Sequence, residues 1–292
     1  MRNFDCFVGI DWTGAKSPVK TKSIAVAQCE RGRISPQLIR KSWSRQSVGD
    51  YIETIIENGK RTLIGIDCNF GYAQSIIEKQ IGHGKKAFDL WQCVEKYCAN
   101  DTNFFAGSFW DHPEYTSYFW QQGKKPEYFL MPKRFTEMLC GESGYGWPES
   151  PFKLIGAKQV GKGGLAGMRL AHYLKEKHPT DVAIWPFDDN EKCNKAMVVI
   201  TEIYPRQFIR RAGYGSQKIR NHDDLNSILL ALKAEKFKAH YHSDHDTDAI
   251  IAAAGLRFLC GDLESIPKPL SNPHANRVLL QAEGWIFGVG YQ

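Results

Sequence analysis

The chain has 292 residues and a formal net charge of +6, with 42% hydrophobic and 24% charged residues. This composition excludes a disordered, collagenous or low-complexity protein. Because no run of about 18 apolar residues is present, no membrane span and no membrane partner are expected. The N-terminus lacks the apolar segment of a signal peptide, so we expect a cytoplasmic protein. The eight cysteines have no paired metal-ligand spacing and are predicted to be buried free thiols.

The first quarter of the chain predicts a strand meander, then a helix, then a buried strand. The helix is expected over Val48–Glu57, where apolar residues recur at helical spacing after Ser47, a plausible N-cap. The predicted strands are Phe7–Asp11, Ser23–Glu30, Ile34–Ser44 and Thr62–Asp67. The first and the last of them both end in Gly-Ile-Asp. Since ligands bind at the carboxyl edge of open α/β sheets, Asp11 and Asp67 are candidate site residues there.

The middle of the chain predicts an irregular insertion. A helix over Phe88–Asn100 precedes residues 101–155, which are rich in Phe, Trp, Tyr, Gly and Pro and show little periodicity. This insertion is expected to pack by its aromatic side chains onto the sheet or over a cleft. Within it, Phe119–Tyr128 interleaves lysines with aromatics, a composition that also suits stacked bases and bound phosphates. A satellite hydrophobic cluster without a chemical role is the alternative interpretation.

Helices and strands alternate in the rest of the chain. Residues 156–167 form a glycine-rich basic segment before a predicted helix over Leu165–Lys177, and it suits either an anion-binding loop or a flexible connector. The further predicted strands are Asp181–Phe187, Met197–Tyr204 and Trp285–Val289, and the further predicted helices are Asn221–Lys238 and His245–Cys260.

Four acids stand beside apolar sequence on separate predicted elements: Asp11, Asp67, Glu202 and Asp248. Unpaired carboxylates that converge would repel and raise one another's pKa, and a divalent cation relieves that repulsion. Mg²⁺ and Mn²⁺ prefer such oxygen ligands. The set therefore predicts a metal centre suited to in-line phosphoryl transfer, for which a nucleic acid, a nucleotide or another phosphate ester is a fitting partner.

The motifs and their order resemble an uncharacterised domain-of-unknown-function family of predicted nucleases with a ribonuclease H-like fold. The resembling segments span nearly the whole chain: GIDWTGA at 9–15, GIDCNFGYA at 65–73, RFTEM at 134–138, SPFKLIGAKQVGKGGLAG at 150–167, IWPFD at 184–188, EIYPR at 202–206 and HDTDAIIAA at 245–253. The second motif departs from the family pattern, because Cys68 and Asn69 separate Asp67 from Phe70.

The resemblance implies one α/β domain over residues 1–292. Its expected core is a ribonuclease H-like mixed sheet, made of a three-strand antiparallel meander plus parallel strands and flanked by helices. The first-strand acid falls on Asp11, the fourth-strand acid on Asp67 and the acid before Tyr-Pro on Glu202. The last helix supplies Asp248 and His245, a ligand or proton shuttle, with Asp244 and Asp246 close enough in sequence to replace either.

Four further residues are candidate substrate-binding groups. Lys153 and Lys162 are expected to hold phosphate, and Arg134 and Glu137 to line the pocket. Two other function classes stay open. Actin-like and sugar-kinase ATPases also begin with a Gly-Ile-Asp strand, although this chain lacks a clear second phosphate motif. A ribonuclease H-like domain can also persist as a binding scaffold for a nucleotide or a partner without catalysis.

Overall fold

A six-stranded mixed sheet is built from the apolar runs of the sequence. The computed structural model describes residues 4–16, 23–125, 127, 133–156, 159–215, 219–260 and 273–290. The strands are β1 (Cys6–Asp11), β2 (Ala25–Glu30), β3 (Gln37–Leu38), β4 (Thr62–Ile66), β5 (Val182–Trp185) and β6 (Val198–Glu202). Their order across the sheet is β3-β2-β1-β4-β6-β5. β1, β2 and β3 pair antiparallel, whereas β4, β6 and β5 continue from β1 in parallel. The predicted combination of an antiparallel meander with parallel strands is confirmed.

Helices flank this sheet. Those of the first half are α1 (Arg45–Glu57), α2 (Gln74–Gln80), α3 (Ala87–Tyr97), α4 (Gly107–Trp110) and α5 (Phe135–Glu142), with a 3₁₀ turn at Thr116–Tyr118. Those of the second half are α6 (Gly161–Lys177), α7 (Asn190–Lys195), α8 (Pro205–Arg211), α9 (His222–Ala231), α10 (Asp244–Leu259) and α11 (Pro273–Glu283). None of the helices in the described ranges is both long enough and apolar enough to cross a membrane.

The two faces of the sheet bury different sets of side chains, because successive residues of a strand point to opposite sides. One face packs Val8, Ile64 and Ile200 against α1, α3 and α6. The other face packs Leu63 and Val199 against α8, α9 and α10. The aromatic-rich segment belongs to the first layer, where Phe109, Tyr115, Phe119 and Phe152 are buried among the same core residues. These aromatics therefore extend the main core. Pro126 and Tyr128 lie outside the described residues.

α10 lies unusually close to β1, because both surfaces are made of small residues. A Cβ added to Gly9 would lie 2.5 Å from the carbonyl oxygen of Ala249 and 2.6 Å from the Cβ of Ala252. Gly65 on β4 is also crowded, since its Cβ would lie 2.5 Å from Ile203 Cγ2 and 2.9 Å from Leu256 Cδ1 on α10. The glycines of the two Gly-Ile-Asp motifs thus admit the helix that carries His245 and Asp248.

Several predicted boundaries are wrong for local physical reasons. The strand expected over Ile34–Ser44 is reduced to β3, and the cap of α1 is Ser44, with Ser47 at the reciprocal position of a capping box. The helix expected to reach Lys238 ends at Ala231, followed by a positive φ of 53° at Lys233. The closing strand expected over Trp285–Val289 makes a single bridge, Glu202 to Ile286, before turning at glycines with positive φ.

The glycine-rich segment also differs from the prediction of a loop up to the helix at Leu165. α6 begins at Gly161, so these glycines occupy its first turns. A Cβ on Gly161 would lie 2.2 Å from the Pro151 carbonyl oxygen, and one on Gly164 would lie 2.1 Å from Asn69 Oδ1. The glycines of this turn serve close packing of α6 against its neighbours. Ala157 and Lys158 lie outside the described residues.

Gly9→Ala tests the close approach of α10. We expect the free energy of unfolding to fall by about 1–3 kcal/mol, because an added methyl overpacks a contact between backbones. Gly32→Ala is the matched control, since its Cβ would meet nothing within 4 Å, and it should stay within about 0.5 kcal/mol of the parent. Urea denaturation of both variants measures the difference. Equal stability of the two would contradict the proposed packing.

Candidate functional site

Two strand ends bring Asp11 and Asp67 to the same edge of the sheet. β1 and β4 run parallel with Ile10 opposite Ile66, and the backbone N–H of Asp67 donates to the Ile10 carbonyl at 2.9 Å. Asp11 and Asp67 therefore follow paired residues and lie side by side at the ends of neighbouring strands. Each lies two residues beyond a glycine that faces α10, so strand alternation directs both side chains to the α10 face.

The N-terminal end of α10 adds the third acid, Asp248, and a histidine. The Ser243 side chain caps this helix by accepting from the Asp246 backbone N–H at 3.4 Å. His245 Nδ1 contacts a carboxylate oxygen of Asp11, which joins the helix to the end of β1. Asp246 instead accepts a hydrogen bond from the His242 N–H at 2.7 Å. Of the residues that the sequence left as alternatives, His245 is thus the one that contacts Asp11.

A cavity of about 780 Å³ opens at this edge, and most of the predicted site residues line it. Its wall includes Asp11, Asp67, Arg134, Glu137, Glu202, Asp244, His245 and Asp248. The two predicted phosphate-binding lysines are not part of that wall. Lys153 pairs with Glu149 at 3.4 Å, and the Lys162 ammonium lies 5.7 Å from the centre of the Trp110 ring. The structure therefore brings together the predicted carboxylates but not these lysines.

Burial raises the pKa of each of the three acids on the α10 face, and neighbouring carboxylates add to that shift. Burial and then the charges of Asp11, Asp248 and Glu202 raise the pKa of Asp67 well above its usual range. Burial, followed by Asp11 and Asp244, raises the pKa of Asp248 to about 7. Burial likewise raises the pKa of Asp11, although its hydrogen bond to His245 opposes that shift. The bond to Asp11 in turn raises the pKa of His245, which favours the imidazolium.

These three carboxylates have no Lys or Arg ion pair within the part of the chain that the structure describes. Asp11 is paired with His245, and neither Asp67 nor Asp248 takes part in any salt bridge there. Acids with raised pKa values, brought together without a cation, are typical of functional sites more than of structural ion pairs. The arrangement favours binding of an external cation or retention of a proton.

Glu202 has a different environment from the other three acids. In the register of β4 and β6, Glu202 lies opposite Ile66, the residue just before Asp67. Because successive residues of a strand point to opposite faces, the Glu202 side chain lies on the face of the sheet opposite to that of Asp67. There Arg134 binds both of its oxygens, at 2.5 and 2.7 Å, and also binds Glu137 at 2.8 Å. This buried bidentate pair satisfies the Glu202 carboxylate. The structure therefore differs from the prediction that Glu202 is a metal ligand like Asp67.

The Arg134 ion pair also connects the site to the C-terminal helix. The Arg134 guanidinium donates to the Glu283 carbonyl at 2.9 Å. The Glu283 carboxylate accepts from the backbone N–H groups of Phe135 and Gln74, at 2.7 and 3.1 Å, and so anchors the first residues of α5 and α2. Arg134 and Glu137, predicted as pocket-lining groups, are nearly fully buried members of this network.

Within the described ranges, no three His, Cys, Asp or Glu side chains are gathered at the distances that would hold a metal ion. The donor types of the α10 face nevertheless fit Mg²⁺ or Mn²⁺, because Asp11, Asp67 and Asp248 offer carboxylate oxygens, and in the described structure only Asp11 has a basic partner, His245. Glu202 does not fit, since Arg134 occupies both of its oxygens. The fit therefore concerns a set of three acids and not the four that the sequence suggested.

The cavity-lining residues that sequence reasoning missed include Trp147, Arg206 and Arg210. Arg206 closes the EIYPR segment, and its place four residues after the strand-end Glu202 was the available signal. Trp147 had no such signal, because it is one of several aromatics in an aperiodic segment. Its indole is 61% exposed, although it lies over the backbone of α5.

Comparison with protein-family models, with curated proteins and with solved structures finds no match to this chain.

Asp248→Asn tests the repulsion within the cavity in metal-free buffer. A carboxyl group whose pKa is raised in the folded state costs stability as it ionises, so the parent should lose stability as the pH rises from about 4 to 7. The variant has no charge to bury at this position. Its stability relative to the parent should therefore increase across that window, by on the order of 2 kcal/mol. Urea unfolding at several pH values measures this, and a difference that does not vary with pH would contradict it.

Proposed function

We propose that this chain is a divalent-metal-dependent phosphodiesterase of the nuclease type, acting in the 780 Å³ cavity at the carboxyl edge of the sheet. The observation that carries the proposal is the convergence of Asp11, Asp67 and Asp248 on one face of that cavity. They come from three separate elements, and in the described structure none of them is neutralised by Lys or Arg. The ligands would be Mg²⁺ or Mn²⁺ and the phosphate backbone of a nucleic acid or nucleotide.

The topology supports a ribonuclease H-like assignment. The antiparallel meander of β1, β2 and β3, the helix α1 and the return to β4 beside β1 reproduce the order of elements in the resembling family. The acids at the ends of β1 and β4 and at the start of α10 occupy the positions that the resemblance implies. The shared sheet edge then makes phosphate ester hydrolysis the best-supported chemistry.

Different residues of the site would perform different steps of the hydrolysis. Asp11, Asp67 and Asp248 would hold Mg²⁺ or Mn²⁺, which when bound activates water and stabilises charge on the phosphoryl oxygens. Because the Nδ1 atom of His245 contacts Asp11, its Nε2 atom is the ring position from which a proton can pass to a leaving oxygen. Arg134 neutralises Glu202 and keeps that wall of the cavity rigid. Arg206 brings a guanidinium to the same cavity for phosphate binding.

Asp67→Asn tests the catalytic assignment with the least structural disturbance, because no hydrogen bond or ion pair of the Asp67 side chain is present in the described structure. We expect Mn²⁺-dependent cleavage of a single-stranded oligonucleotide, or of a small diester such as bis(p-nitrophenyl) phosphate, to fall by about a hundredfold or more. Loss of even an outer-shell partner of a metal site typically costs about 10–100-fold, and a direct ligand should cost more.

Asp5→Asn is the matched control for that measurement. Asp5 is an exposed aspartate just before β1, at the opposite edge of the sheet, where its carboxylate accepts from the Arg61 N–H at 3.2 Å. It should retain the parent activity. Full activity of Asp67→Asn alongside a folded Asp5→Asn protein would refute the assignment.

Metal binding is tested separately by thermal unfolding in increasing MnCl₂. The parent melting temperature should rise saturably, because a ligand that binds only the folded state stabilises it, by about 2.7 kcal/mol at a hundredfold excess over Kd. Asp67→Asn should show a much smaller rise. A saturable rise without any cleavage would favour the non-catalytic scaffold, and no rise in the parent would remove the metal from the proposal.

A further inference from the structure

We infer that Trp147 is a stacking platform for one unpaired base of a single-stranded nucleic acid, whose adjoining phosphate enters the cavity beside Arg206. This inference rests on the proposed function and assigns it a substrate class. Neither the acids nor the histidine of the site would distinguish a nucleic acid from any other phosphodiester. A binding group for the base would provide that distinction.

Trp147 packs its indole on Gly141 and near Lys133, and the residue nevertheless stays largely exposed. A Cβ placed on Gly141 would lie 2.3–2.5 Å from three atoms of the benzo ring, so the ring rests directly over the glycine backbone of α5. The Lys133 ammonium lies 5.4 Å from the ring centre and donates to the Pro148 carbonyl at 2.6 Å. Even so, the residue is 61% exposed, more than any other large hydrophobic residue in the described ranges. An aromatic ring held in this way has a free surface on which a planar group can stack.

The loop that carries Trp147 also packs against the wall of the cavity that contains Arg206. Gly146 has a φ of 103°, and a Cβ there would lie 3.3 Å from the Tyr204 hydroxyl and 3.4 Å from Arg206 Cγ. Trp147 and Arg206 both line the cavity that holds Asp11 and Asp67. The aromatic ring, the guanidinium and the carboxylates are therefore parts of one continuous surface.

Two guanidinium nitrogens on this wall point to an anionic ligand. Arg206 Nη1 and Arg210 Nε are shielded from solvent and have no hydrogen-bond partner among the described residues. Shielded donors of this kind need an acceptor, and arginine N–H groups match the oxygens of a phosphate. An apolar partner would leave these donors unsatisfied. A ligand with a flat ring and a phosphate satisfies both Trp147 and Arg206.

Such a ligand must present its base unstacked, as a single strand does. Sequence-tolerant proteins that bind single strands combine aromatic platforms with a basic groove in this way. The net charge of +6 suits a polyanion.

Binding measured in EDTA tests the inference without cleavage, so it gives a result whether or not the metal chemistry is correct. The probe is a fluorescein-labelled single-stranded DNA oligonucleotide, compared with a strand of equal length and charge made of abasic sites. We expect Trp147→Ala to weaken binding of the base-bearing strand by about 5- to 100-fold, the range for loss of one stacked base. Binding of the abasic strand should not change.

Three further variants make the result specific. Trp147→Phe should restore most of the affinity, because a phenyl ring also stacks. Arg206→Gln should weaken the base-bearing and the abasic strands alike and reduce the salt dependence, because it removes a phosphate contact. Phe258→Ala is the control, since Phe258 is an aromatic residue that is 36% exposed and does not line the cavity.

Several outcomes would overturn the inference. One is equal binding of the base-bearing strand by Trp147→Ala and the parent. Another is a loss of affinity in Trp147→Ala that is equal for the base-bearing and the abasic strand. A third is that the parent binds neither strand, which would favour a protein partner as the group that covers Trp147. Failure of the proposed hydrolysis is distinguishable from all of these, because it would show only in the cleavage assay with Mn²⁺.

Discussion

The site depends on the close approach of α10 to the centre of the sheet. Gly9 and Gly65 have no side chains that would hold α10 further from the sheet, and the helix contributes the small residues Ala249 and Ala252 to the contact. This contact places the first turn of α10 at the edge where β1 and β4 end. Because interiors are close-packed, even one added methyl here would move the helix and with it His245 and Asp248. The glycine of each Gly-Ile-Asp motif therefore positions the acid that follows it two residues later.

A second constraint separates the acids into two environments. On the α10 face, burial raises the pKa of Asp11, Asp67 and Asp248, and the charge of Asp11 adds to the shift of the other two. None of the three has a Lys or Arg ion pair in the described structure, and Asp11 is paired with His245. On the other face, Glu202 is bound by Arg134, whose own pKa is raised by Glu202 and Glu137 against the opposing effect of burial. A buried ion pair of this kind is costly to break, because the remaining charge would be left without compensation. It therefore stabilises the wall of the cavity while the opposite wall keeps its charges available to a ligand.

Much of the fold was predictable because its elements have strong local patterns. The core strands are continuous apolar runs, and α10 follows an N-cap serine with a long stretch of Ala, Ile and Leu. The failures have equally local causes. Pairing of β3 is limited to two residues, and the segment after Trp285 turns at glycines instead of extending. The glycine-rich segment before Leu165 suited either an anion-binding loop or a flexible connector in the sequence. Contacts distant in sequence, of Gly161 with Pro151 and of Gly164 with Asn69, show that these glycines serve packing.

The sequence by itself determined the core strands β1, β2, β4, β5 and β6, which of them end in an acid, and that Asp248 and His245 lie at the start of a buried helix. Apolar runs and capping residues encode these features locally. Only the tertiary structure decided that Asp11, Asp67 and Asp248 face one side while Glu202 faces Arg134. It also decided that the exposed ring of Trp147 borders the same cavity. The reason is that the face of a strand-end side chain depends on register. A shift of one residue between β4 and β6 reverses the direction of Glu202, and no local pattern records that shift.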